Sequence, residues 1–129
     1  KWNSVVYKRD VTYILGDVTM EKSAPYHLLD RLNGIKHIVL GNHDRRQDTK
    51  KLFEYAESIG GMLNYKGIFL THCPIHPDEL TYGIPKNIHG HIHDKVVMLN
   101  GCPDPRYFCV SCERVDYLPK SLKDLGIQR

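Results

Sequence analysis

The stretch His37-Ile38-Val39-Leu40-Gly41-Asn42-His43-Asp44 joins a short β-branched apolar run to a glycine, then to an amide, an imidazole and a carboxylate in succession. A brief apolar run closed by a turn residue reads as a buried strand, so residues 37–40 are predicted as a strand with a polar loop at its carboxyl end. The same design stands upstream, where Val11-Thr12-Tyr13-Ile14-Leu15 is cut off by Gly16-Asp17. Between the two, Ser23 as cap, Pro25 in the first turn, Leu28, Leu29 and Leu32 at helical spacing and Asn33-Gly34 as a stop predict a helix of about ten residues. Beyond Asp44, the spacing of Leu52, Phe53, Ala56 and Ile59, ended by Gly60-Gly61, predicts a second helix.

Further along, residues 62–65 and 68–71 flank Lys66-Gly67 as a hairpin whose second strand delivers His72. The segment from Cys73 to Asn87 carries three prolines and is expected to be a loop that is functional or disordered, and where functional, one that selects substrate. Residues 96–99 and 107–111 read as strands around Asn100-Gly101, and Ser121 to Leu125 as a short closing helix. No repeat or linker interrupts the chain, so residues 1–129 are taken as one domain of α/β class. Its 129 residues, 41% apolar and 26% charged, exclude disorder and low-complexity arrays. No run approaches the roughly 20 apolar residues of a membrane span. The net charge of +3 comes from basic residues spread along the chain, which suits anionic substrates rather than a nucleic-acid coat. Four irregularly spaced cysteines are read as free thiols of a reducing, cytoplasmic setting. Cys109 and Cys112, although spaced C-x-x-C, are expected to be small core residues, because positions three apart on a strand face opposite ways.

The polar clusters each follow a predicted strand: Gly16-Asp17, Gly41-Asn42-His43-Asp44, Thr71-His72 and His89-Gly90-His91-Ile92-His93. Strand ends of α/β sheets place their ligands on a common edge. A carboxylate, an amide and several imidazoles make a mixed oxygen and nitrogen set suited to Mn, Fe, Zn or Ni. His27, His37 and His76 lack this pattern and are read as ordinary surface or core histidines, and His89 as a packing residue.

Taken in order, these clusters resemble the calcineurin-like metallophosphoesterase family, closest to its small bacterial and phage enzymes, with Asp116-Tyr117-Leu118-Pro119-Lys120-Ser121-Leu122 as a further counterpart near the end. The resemblance implies a four-layer α-β-β-α sandwich with two mixed sheets, and two divalent ions, Mn first among them. It implies Asp17 as the bridging carboxylate, Asn42, His72 and His91 on the second ion and His93 on the first, with a hydroxide between them attacking phosphorus in line. It further implies His43 as the group that protonates the leaving oxygen, Asp44 as the residue that orients His43, and Arg45 and Arg46 as phosphate contacts. The family's opening D-x-H, on its first strand, does not precede Asp17 here; the expectation is that this strand is missing from the chain and lies before Lys1. The implied activity is hydrolysis of phosphate monoesters or diesters, nucleotides or short oligonucleotides included, rather than action on duplex nucleic acid or membranes. The alternative is a non-catalytic interaction scaffold on the same fold.

Overall fold

The computed structural model describes residues 1–81 and 86–127. Strands β1 (Val11–Ile14), β2 (Ile35–Val39) and β3 (Ser58–Gly60) form a wholly parallel sheet in the order β1-β2-β3. Its register sets Ile14 opposite Ile38, and Ile38 opposite Ile59. Parallel neighbours need crossovers. The first runs through a 3-10 turn, Tyr26–Arg31, and the second through a 3-10 turn, Arg46–Asp48, that continues into α1, a single α-turn at Thr49–Leu52.

The second sheet holds β4 (Met62–Tyr65), β5 (Ile68–Thr71), β6 (Lys86–His89) and, after a two-stranded ribbon of β7 (Met98–Leu99) and β8 (Cys102–Pro103), β9 (Tyr107–Cys109). Its order is β4-β5-β6-β9, antiparallel at β4 and parallel elsewhere. The β4–β5 hairpin matches the sequence expectation at both strands, and positive φ at Lys66 (49°) and Gly67 (81°) marks the primed turn that suits a two-residue connection.

Alternation along β1 ties the two sheets together. Ile14 packs with Ile38, Leu52, Tyr26 and Leu29 under the helical turns, while Tyr13 and Leu15 join Ile68, Leu70 and Ile88 of the second sheet. The Tyr13 ring lies 5.7 Å from that of Tyr65 across the interface. The outer face of the second sheet is covered by the loop after β5: fully buried Asn87 accepts from the Ile75 N–H at 3.0 Å, and the Tyr107 hydroxyl donates to the Ile75 carbonyl at 2.6 Å.

The expected four-layer α-β-β-α sandwich is not what forms. The first sheet is purely parallel rather than mixed, and no layer of helices exists among the described residues: one four-residue α-turn and short 3-10 turns take its place. Between Pro25 and Asn33 only six residues turn, too few to sustain a helix without packing on most of one face. Leu29 is buried there but Leu28 is exposed. The second predicted helix loses its far half to β3, where Ile59 pairs with Ile38 instead of continuing the turn begun at Thr49. Ser121 does start a turn, with Asp124 and Ser121 exchanging side-chain and backbone hydrogen bonds at 2.9 and 3.0 Å, but it does not propagate into a helix. No helix of the described residues is long and apolar enough to cross a membrane.

Candidate metal centre

Because β1 runs parallel to β2 and β5 parallel to β6, their carboxyl ends gather at one end of the paired sheets, and four side chains meet there. His72, buried immediately after β5, places its Nε2 3.2 Å from Asp17 Oδ2, 2.9 Å from Asn42 Oδ1 and 3.1 Å from His91 Nδ1. The other ring nitrogen, Nδ1, lies 2.7 Å from the Leu15 carbonyl, which only accepts, so Nδ1 carries the proton of that bond. Nε2 therefore offers its lone pair to a space already lined by a carboxylate oxygen, an amide oxygen and a second imidazole nitrogen. A His91 Nδ1–H would satisfy that lone pair by a hydrogen bond, whereas a divalent cation would take it together with neighbouring donors. Anchoring one imidazole nitrogen on a carbonyl while the other is presented is how metal-ligating histidines are held.

Two glycines make this convergence possible. A Cβ on Gly16 would stand 2.5 Å from His72 Nδ1, and one on Gly41 would fall onto the Asp17 carboxylate and 2.9 Å from His72 Cε1. Gly16 also sits at φ +89°, followed by Asp17 at +50°, and His91 at +70° is left-handed too. Non-glycine residues seldom adopt this region, and such strain gathers at functional sites.

Asp44 has a different task from the expected one. Its Oδ2 accepts from the N–H groups of Gly41 at 2.7 Å and Asp17 at 2.8 Å, and its Oδ1 from that of Val18 at 2.8 Å. Both oxygens are thus taken up in stapling the β1 loop to the β2 loop, rather than in orienting His43. The His43 backbone N–H in turn donates to Asp17 Oδ1 at 2.9 Å, and its imidazole is exposed at the rim. Arg45 is held by Asp48, Nε to Oδ2 at 2.6 Å, while Arg46 lies exposed beside it. His93 is not brought to the cluster: its side chain is 77% exposed, with Nδ1 2.9 Å from Glu113 Oε1, and hydrogen bonding to that carboxylate raises its pKa.

The residues expected to be bystanders are placed as such. His37 stacks on Tyr13 and meets Ser58 Oγ at 2.6 Å, His76 caps the turn at Asp78, and His27 is exposed. His89 is fully buried against Tyr107, with Nδ1 on the Gly90 carbonyl at 2.8 Å, and burial lowers its pKa, so it packs as the neutral ring.

Cysteines depart most from expectation. Cys73, Cys102 and Cys112 are exposed and Cys109 half-buried, so they are not core residues. Cys73, the residue after His72, lies with its Sγ within 4.8 Å of donor nitrogens on both His72 and His91, a cluster that could hold a metal ion. The chain bends at residues 72–73, which ends the alternation. Pro74 directly after Cys73 was the one signal in the sequence that the strand could not continue. Partial desolvation of the thiol, and then the Asp17 charge, raise the Cys73 pKa.

Residues 82–85 of the expected substrate loop lie outside the described residues. No family model matches the chain. It is 31% identical over 131 residues to the uncharacterized protein MJ1445 of Methanocaldococcus jannaschii, an alignment that takes in 94% of this chain and 66% of that protein, just under two thirds of the relative's length. The crystal structure of AQ665, a protein of unknown function from Aquifex aeolicus, is similar at a TM-score of 0.68 and 28% identity, covering 97% of this chain and 79% of that one. The arrangement of strands is thus shared with a protein of unknown function, and function has to be read from the donor set itself.

Proposed function

We propose that this domain is a metal-dependent hydrolase of phosphate monoesters or diesters. One observation carries the reading: Asp17 Oδ2, Asn42 Oδ1 and His91 Nδ1 all lie within 3.2 Å of His72 Nε2, a gathering of oxygen and nitrogen donors of the kind that holds a divalent cation. The order of the clusters along the chain, which resembles that of the calcineurin-like phosphoesterases, supports the same class. A divalent ion held by these donors acidifies water and polarises a phosphoryl oxygen when bound.

The chain's own groups do the rest. The Leu15 carbonyl fixes the His72 ring, and the Asp44 carboxylate holds the Asp17 and Asn42 loops at the separation the donors need. The His43 N–H steadies Asp17, while its exposed imidazole stands at the rim, free to protonate a leaving oxygen. Arg46, exposed and outside the Asp48 pair, is the better placed of the two arginines to bind a phosphoryl oxygen. Mn is the ion the resemblance puts first; the second ion that it gives to Asp17 and His93 finds no support in the exposed His93 side chain, which pairs with Glu113.

The test is hydrolysis of nitrophenyl phosphate and bis-nitrophenyl phosphate by protein stripped with chelator and then reloaded with Mn, Zn or Co. Activity should appear only on reloading and fall by about 100-fold or more in His72→Ala and in Asp17→Asn. Activity that survives chelation, or that persists in His72→Ala, would overturn the reading. Tight ion binding without hydrolysis of either substrate would favour the interaction-scaffold alternative.

A further inference from the structure

We propose that Cys73 is a sulfur ligand of the same ion, so that the centre prefers a thiophilic cation, Zn or Co, over Mg. This rests on the metal-centre reading above and adds a donor to it. Three independent observations bring the thiol into place. Its Sγ lies within 4.8 Å of donor nitrogens on His72 and His91, the two imidazoles already directed at the site. A tetrahedral zinc bound at its usual Zn–S and Zn–N lengths separates sulfur from nitrogen by about 3.6 Å, so side-chain movement of about an ångström completes the set. Secondly, His72 is itself buried and its Nε2 stands among a carboxylate oxygen, an amide oxygen and an imidazole nitrogen, donor types that suit a cation.

The third observation is the way the backbone is held. The Thr71 hydroxyl donates to the Cys73 carbonyl at 2.6 Å and accepts from Asn87 Nδ2 at 2.9 Å. Asn87 also accepts from the Ile75 N–H, and the Tyr107 hydroxyl donates to the Ile75 carbonyl. Residues on either side of Cys73 are therefore pinned to the second sheet, and the bend between them turns the Cys73 side chain to the same side as His72. Held backbone on both flanks limits what a ligand loses in entropy when it binds. With a thiolate beside two imidazoles, softness decides the ion: sulfur adds affinity for Zn or Co and little for Mg.

The experiment is alkylation of the intact protein with iodoacetamide, read by peptide mass after trypsin, which separates Cys73 from Cys102 and from Cys112. With Zn or Co present, alkylation of Cys73 should slow by about tenfold or more while Cys102 and Cys112 are unaffected, and Mg should have no effect. The Co-loaded protein should also show a sulfur-to-cobalt charge-transfer band in the near ultraviolet that Cys73→Ser lacks, while that variant keeps the weaker visible bands of bound Co. Co bands of equal shape in wild type and Cys73→Ser, or protection without the charge-transfer band, would overturn the proposal and leave the Asp17, Asn42, His72 and His91 centre standing. Absence of any Co spectrum in the wild type would overturn both.

Discussion

Gly41 has no room for a side chain: a Cβ there would fall onto the Asp17 carboxylate and against His72. Its φ lies outside the left-handed range, unlike the +89° of Gly16, so alanine is tolerated by the backbone and tests the close approach alone. Gly41→Ala is expected to cost about 1–3 kcal/mol in stability by urea titration and to weaken Zn or Mn binding, measured by calorimetry, by about tenfold or more as Asp17 is displaced. Asp44→Asn makes a complementary change: the volume stays, but one amide oxygen replaces two carboxylate oxygens that accept from three N–H groups. Loss of charge-assisted bonds of this kind is expected to destabilise the fold by about 1–3 kcal/mol. A variant as stable as the wild type would mean that the two loops do not depend on the staple. Asp17, Asn42, His72 and His91 were legible one by one because each follows a strand-ending pattern. The roles of Asp44 and Cys73 were not, because the partners of the first are backbone N–H groups and the second depends on a bend one residue past a strand.

At the scale of elements, the turn of Tyr26–Arg31 shows how little of a helical pattern the fold uses. Leu28 and Leu29 count equally in the apolar spacing, yet Leu29 is 7% exposed and Leu28 43%. Leu29→Ala is expected to lower stability by about 2–4 kcal/mol, and Leu28→Ala by less than about 1 kcal/mol, in parallel denaturation curves. A comparable cost at both would mean a true helix with both residues covered. The approach to β9 depends on a different kind of contact. Asp104, 4% exposed, receives the Arg106 guanidinium at 3.1 Å from Nε and 2.7 Å from Nη2, together with the Arg106 backbone N–H at 3.0 Å. The Arg106 hydrogen bonds lower its pKa below the ordinary 3.8. A carboxyl depressed on folding adds stability that is fully present above its unfolded value and is lost as pH falls through its folded value. The stability gap between wild type and Asp104→Asn should therefore be widest at neutral pH and close in strong acid, as read from thermal melts. A gap that does not change with pH would remove the ion pair from the account of β9.

Over the whole molecule, two sheets share one interface through Tyr13, Leu15 and the Ile68, Leu70 and Ile88 cluster, and the donors gather where both sheets end. A cation bound there bridges loops of both sheets, so it is expected to stabilise the folded state, by about 2.7 kcal/mol at a free concentration one hundred times the dissociation constant. The melting temperature should rise with added Zn or Mn, return with chelator, and stay put in His72→Ala. A rise of equal size in that variant would place the ion elsewhere. Much of this was already determined by the sequence: β-branched runs closed by glycine mark β1, β2 and the hairpin, since strand propensity and turn chemistry act over a few residues. Only the tertiary structure decided the layers. Whether residues around Ile59 extend a helix or pair with Ile38 depends on a partner strand some twenty residues away, and a local period carries no trace of it. The same holds at the centre, where the residue types are those of metal donors but the direction of Asp44, His93 and Cys73 follows from loops that meet only after the two sheets have packed.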